Sequence, residues 1–228
     1  MNPIEQFDQQ ATLALNGSHS LVWDNVMSLM TETHAWSLLA AALLIVLFRN
    51  NSLRQALIIL LAVAFTIALA NSISDCVKDV VARPRPTQDP FLMYSIDVVQ
   101  GRRGGAHGFF SAHAANTFSM AMFLTLLFRH TPAALAVYLW ATVHTFTRLY
   151  LGVHYLGDVL TGAVVGTLIG AIIYALYALV HRHMGDPALV SGQFTSSGYL
   201  RTDLNAFVAF NFLNYILLFI VAAAMGIR

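Results

Sequence analysis

Apolar residues run along this chain in long blocks parted by short polar breaks, and the length of each block predicts what it builds. The first block is short and amphipathic. Ile4, Phe7, Ala11, Ala14 and Leu15 recur at helical spacing with Glu5, Gln6, Asp8 and Gln9 between them, which predicts an interfacial helix over 4–15. Later blocks approach the roughly 20 residues that a bilayer crossing requires. The run WSLLAAALLIVLF falls short of that, so a first span from about Met27 to Phe48 is expected to recruit residues before Trp36. A second span covers Ala56 to Val81, with polar last turns, and a third covers Ala112 to Phe128. Pro132 then stops or restarts the helix. Ala133 to Tyr150, Tyr155 to Val180 and Ala206 to Ile227 supply three more spans, with a polar connection before the last. The expected fold class is all-α, a polytopic membrane bundle of about six transmembrane helices plus a short amino-terminal interfacial helix. With no internal repeat, residues 1–228 read as a single integral-membrane domain, 1–20 being its amphipathic segment.

Composition agrees with embedding. The chain is 57% hydrophobic, 10% charged and has a mean hydropathy of +0.66, whereas a soluble domain carries about twice that charge. A net charge of +1 argues against a nucleic-acid partner. The single cysteine, Cys76, excludes an internal disulfide and a multi-cysteine metal site, and reads as a small helix-packing residue. The opening residues carry Glu5 and Asp8 and no basic residue, so no cleaved leader is expected.

Spans that alternate sides sort the loops into two groups. One holds Arg49, Arg54, Arg129, Arg182 and Arg201; the other holds the amino-terminal segment, residues 78–110, the turn at Gly152 and the carboxyl terminus. Three polar islands collect on the second face: Lys78 to Pro86, Gly108 to His113, and Arg148 to Asp158. If Lys78, Arg85 and Arg148 bind substrate, the remaining basic residues make the first group cytoplasmic.

Charges near a membrane core are retained when they pair or work. Asp158 follows His154 by four residues, one helical turn, close enough to accept a proton from the imidazole and leave the other ring nitrogen free for chemistry. Arg148 adds a guanidinium fork suited to an anion. Anion site, histidine and carboxylate together point to phosphoryl transfer. Lys78, Arg83 and Arg85 could instead snorkel at headgroup level. Asp75 and Asp79 read as charge partners of Lys78, and His144 as a hydrogen-bonding core histidine. A transporter would line a pathway with such charges, but here they gather at one surface and no repeat is present.

The spacing Lys78-x6-Arg85-Pro86, Ser111-x-His113 and Arg148-x5-His154-x3-Asp158 resembles the three-part signature of the type 2 phosphatidic acid phosphatase family. That family includes bacterial undecaprenyl diphosphatases, phosphatidylglycerophosphatases and lipid A phosphatases, and shares its site with vanadium haloperoxidases. Two departures stand out. The usual Pro-Ser-Gly-His is Phe110-Ser111-Ala112-His113, and the usual serine before the arginine of the last motif is Thr147.

The resemblance implies that His154 attacks phosphorus to form a phosphohistidine, Asp158 orients it, and His113 protonates the leaving oxygen and then activates water. It implies phosphate binding by Lys78, Arg85, Ser111, Arg148 and the backbone N–H of Ala112 or His113, with no cofactor and no metal. The competing metal reading would use His107, His113, His154 and Asp158. Arg102 and Arg103, in the glycine-rich loop beside the site, are candidates for a second phosphate or a headgroup. The expected substrate is undecaprenyl diphosphate, hydrolysed to undecaprenyl phosphate, with phosphatidylglycerophosphate, phosphatidic acid or lipid A as alternatives under the same mechanism. The expected partners are that lipid and the bilayer, with no obligate protein partner. The expected location is a bacterial cytoplasmic membrane with the site on its outer face.

Overall fold

The computed structural model describes residues 2–18, 20–182 and 192–225. Much of the polar connection before the last span, at 183–191, and the end of that span, at 226–228, lie outside the described residues. The described residues form eight α-helices: α1 Pro3–Leu15, α2 Leu21–Met30, α3 Ser37–Asn50, α4 Leu53–Val81, α5 Ala112–Phe128, α6 Thr131–Tyr150, α7 Leu156–Arg182 and α8 Arg201–Met225. Four segments, Thr33–Asn50, Leu53–Val81, Leu156–Val180 and Arg201–Met225, are long and apolar enough to cross a membrane. The intervening α5 is apolar but has 17 residues, and α6 dilutes its apolar face with His144, Arg148 and four threonines.

The first expected span is not one helix. It divides into α2, a short 3₁₀ turn at Thr33–Trp36, and α3. At the break, the Met30 carbonyl accepts the indole N–H of Trp36 at 2.9 Å and lies 3.2 Å from His144 Nδ1. Side chains thus take the carbonyl at the end of α2, and the apolar run splits between α2 and α3.

Each long helix shows a bilayer face and a packing face. On α7, Leu160, Val164, Leu168, Ile172 and Leu176 are exposed at every fourth position. On its other side Gly162, Gly166 and Gly170 meet α5, where an added Cβ would lie 2.5, 2.2 and 2.3 Å from the carbonyl oxygens of Ser111, Ala115 and Ser119. Three glycines therefore bring the two backbones into close approach, as small residues do between membrane helices. The last helix is fastened by amides: Asn211 donates to the Ala136 carbonyl and Asn214 to that of Ala35. Cys76 is exposed near the end of α4, contrary to the packing role expected of it, because Asp75, Asp79, Val80 and Val81 there also project past the neighbouring helices.

Candidate active site

The end of α4, the starts of α5 and α7, and the end of α6 converge at one end of the bundle. Ala82, in the left-handed region at φ 49°, ends α4, and Pro84 prevents its continuation. The chain then folds back on itself: Arg85 N–H donates to the Ala106 carbonyl and Gly108 N–H to that of Arg83. This clamp directs Arg83 and Arg85 toward the start of α7. Gly108 is required there, since a Cβ would lie 2.9 Å from Asp158 Oδ2.

His154 and Asp158 are 2% and 0% exposed. The Asp158 Oδ2 atom lies 3.4 Å from His154 Nδ1 and accepts the Tyr155 N–H at 3.0 Å. Its Oδ1 accepts from Arg83 Nη1 at 2.8 Å. Arg85 Nη1 lies 3.0 Å from His154 Nε2 and donates to the Val153 carbonyl at 2.9 Å. Burial holds the His154 imidazole down to about 4; the Asp158 hydrogen bond pulls it upward, and the Arg85 charge pushes it further down. At neutral pH the ring is therefore the free base. Burial also lowers Arg85, with Asp158 opposing, whereas Arg83 stands above its ordinary value because Asp158 and Asp8 outweigh its burial.

Arg148 reaches the same space from the last turn of α6, donating from Nη1 to Thr31 Oγ1 at 2.7 Å. Both Arg85 Nε and Arg148 Nε are buried without a partner among the described residues. Two guanidinium N–H groups left in this condition suit an anionic ligand. Ser111 caps α5, its hydroxyl accepting the Ala114 N–H at 3.4 Å. The N–H groups of Ala112 and His113, in the first turn, have no intrahelical acceptor and carry the positive end of the helix dipole. The His113 ring stacks on His144 with centroids 5.7 Å apart. His144 is the buried, hydrogen-bonded histidine expected of it, held at Met30.

Some expected residues are engaged elsewhere. Lys78 pairs with Asp75 at 3.0 Å, as its predicted charge partner. Arg102 pairs with Glu32 at 2.6 Å, and Arg103 points a guanidinium nitrogen at the Thr87 carbonyl. Among the described residues no three His, Cys, Asp or Glu side chains are grouped so as to hold a metal, so His107, His113, His154 and Asp158 do not form a ligand set.

Two contributors were missed in the sequence. Arg83, a candidate for snorkelling at headgroup level by sequence, is instead the nearest cation to Asp158. Asp8, on the polar face of the predicted interfacial helix, accepts from Arg83 Nη2 at its Oδ2 at 2.6 Å and from the Gly157 N–H at its Oδ1 at 2.7 Å. The Arg-Pro-Arg-Pro run, with two arginines held extended by prolines, was a usable signal for Arg83; nothing local marks Asp8.

The model of the PAP2 superfamily matches residues 55–182, which include every element of this constellation except α1 and α2. The chain belongs to the PAP2 superfamily. It is 39% identical over 176 residues to a lipid A 4′-phosphatase of Bacteroides thetaiotaomicron, covering 75% of this chain and 77% of that protein. It is 29% identical over 178 residues to a lipid A 4′-phosphatase of Porphyromonas gingivalis, covering 78% and 75%. A crystal structure of a transmembrane PAP2-type phosphatidylglycerolphosphate phosphatase from Bacillus subtilis shares the fold, with a TM-score of 0.58 at 21% identity over 79% of this chain and 89% of that one. This PAP2 member is a multi-pass membrane lipid phosphatase, a hydrolase of phosphate esters.

Proposed function

We propose that this phosphatase removes the 4′-phosphate of lipid A through a phosphohistidine at His154. The identity of 39% to the Bacteroides enzyme over three quarters of both chains carries the choice of lipid. The buried His154–Asp158 pair with Arg85 Nη1 against His154 Nε2, together with the buried Nε–H groups of Arg85 and Arg148 that have no partner among the described residues, supports the mechanism.

With Nδ1 turned to Asp158, the His154 Nε2 lone pair is the attacking atom. Arg85 Nη1 now lies against that nitrogen, so an incoming phosphoryl group takes Arg85 onto its oxygens and frees the lone pair. Arg148 and the first-turn N–H groups of α5 hold the remaining oxygens, with Lys78 adding charge once it leaves Asp75. The P–N bond forms as the bond to the sugar oxygen breaks, and His113 gives that oxygen its proton. Asp158 stabilises the cationic imidazole. His113, now the free base, takes a proton from water, whose oxygen attacks phosphorus; the P–N bond breaks and phosphate leaves. Oriented charge of this kind supplies the stabilisation that many phosphoryl-transfer enzymes draw from metal ions.

The proposal extends to place and extent: one domain over 1–228, six crossings, a bacterial cytoplasmic membrane, and a site at its outer face. Undecaprenyl diphosphate is the second reading, favoured by the basic residues Arg102 and Arg103 in the loop that carries the Arg85 clamp. A panel of lipid A, undecaprenyl diphosphate, phosphatidylglycerophosphate and phosphatidic acid in detergent, scored by phosphate release, separates these substrates. Preference for lipid A, abolished by His154→Ala, is the expected result. Faster turnover of undecaprenyl diphosphate would transfer the assignment to the second reading.

A further inference from the structure

The amino-terminal helix α1 would be held at the headgroup level by Ile4 and Phe7, which are 75% and 66% exposed. Its opposite face does something else. Within one turn, Asp8 accepts the Gly157 N–H, and Thr12 Oγ1 accepts the Leu156 N–H at 3.0 Å while donating to the Asp8 carbonyl at 2.7 Å. Both side chains are turned inward, Thr12 being 0% exposed. Helix α7 therefore receives its amino-terminal cap from another helix, about 145 residues earlier in the chain, since its own preceding residues are occupied by the site.

Asp8 also engages the charge balance. Its Oδ2 takes one end of the Arg83 fork at 2.6 Å, and Asp158 Oδ1 takes the other at 2.8 Å. The guanidinium lies 3.9 Å over the Tyr155 ring, whose hydroxyl donates to Asp89. Arg83 is thus shared between two carboxylates, of which only Asp158 faces His154. Remove the Asp8 charge, and Arg83 is left whole against Asp158, drawing that carboxylate away from the imidazole at the moment the imidazole becomes cationic.

We propose that Asp8 is a positioning residue for hydrolysis: by sharing Arg83 it leaves Asp158 charge to stabilise the phosphohistidine. This rests on the assignment of His154 as nucleophile. The effect belongs to the charged transition state and leaves phosphate binding unchanged, so it enters kcat and not KM.

The test compares wild type with Asp8→Asn, Thr12→Ala and Arg83→Lys on lipid A, or on phosphatidic acid if lipid A is not hydrolysed. Asparagine keeps an acceptor for the Gly157 N–H and removes the charge; Thr12→Ala removes a cap and keeps the charge. Asp8→Asn is expected to lower kcat about tenfold or more, the scale of a lost charged hydrogen bond, with KM within about twofold. Thr12→Ala should retain most of its kcat. Equal losses in the two variants, or wild-type kcat in Asp8→Asn, overturn the proposal. Lysine at 83 keeps the cation without a fork that bridges two carboxylates; if Asp8→Asn does not insert, wild-type kcat in Arg83→Lys overturns it equally. Failure of the nucleophile assignment reads differently: His154→Ala would then keep its turnover, whatever the ratios among the other variants.

Discussion

Asp158 lies closer to Arg83 than to His154, at 2.8 Å from Nη1 against 3.4 Å from Nδ1. The carboxylate thus serves two cations, one permanent and one that forms only when His154 reacts. Asp158→Asn should place its amide either at the Oδ1 position, where it repels Arg83, or at the Oδ2 position, where it opposes the Tyr155 N–H and fixes the wrong tautomer of the imidazole. Loss of kcat by about a hundredfold or more is expected, on the precedent of the same change in a serine protease triad. Phosphate release, with circular dichroism to verify the fold, measures it. A loss under fivefold would remove Asp158 from the mechanism.

The depressed His154 pKa sets two acid limbs. In activity, the imidazole stays a free base down to about pH 4, so kcat/KM should hold its enzyme-side acid limb near 4 and not near 6.5. In stability, the unfolded chain takes up a proton near 6.5 that the folded chain refuses until about 4. The contribution is therefore complete above 6.5 and is lost as pH falls from there to 4. Melting in detergent should show a decline over that window that is smaller in His154→Gln; equal declines would mean that other groups produce it.

The α5–α7 contact makes a separate prediction. A Cβ at Gly166 would lie 2.2 Å from the Ala115 carbonyl oxygen, a backbone atom that cannot swing aside. Gly166→Ala should lower stability by about 1–3 kcal/mol and reduce activity with it, because the helices that carry His113 and Asp158 are pushed apart. Gly192→Ala, which meets no described residue within 4 Å, should alter neither.

Chelation tests the source of the phosphate-binding charge. If Arg85, Arg148 and Lys78 supply it, turnover should survive excess EDTA. Complete loss restored by one divalent ion would overturn that mechanism.

What was legible in the sequence was whatever repeats over a short distance. The apolar blocks disclosed α1, α3, α4, α5, α6, α7 and α8, and the three polar islands marked His113, Arg148, His154 and Asp158 because those residues lie where blocks begin or end. The break at Thr31–Trp36 was not legible, for it depends on His144 and Trp36 meeting the Met30 carbonyl, and His144 lies more than a hundred residues away. Asp8 was hidden for the same reason: its partners, Arg83 and Gly157, come from distant segments, and its position on an amphipathic helix already had a sufficient local explanation. The glycines at 162, 166 and 170 were legible in principle, since their four-residue spacing marks one helix face.

Arg102 and Arg103 offer the clearest separation of binding from structure. The Arg102–Glu32 pair has side chains 37% and 35% exposed, and an exposed pair contributes about 0–1 kcal/mol. Exchange of both arginines for alanine should therefore move the melting temperature little. If either meets a second phosphate, the double variant should lose turnover of a diphosphate lipid more than of a monophosphate lipid, by about tenfold for one charged hydrogen bond. The ratio of kcat/KM for undecaprenyl diphosphate and phosphatidic acid reads this directly, and global loss of activity cancels in it. An unchanged ratio would leave Arg102 as the partner that fixes Glu32, beside the Thr31 hydroxyl that holds Arg148.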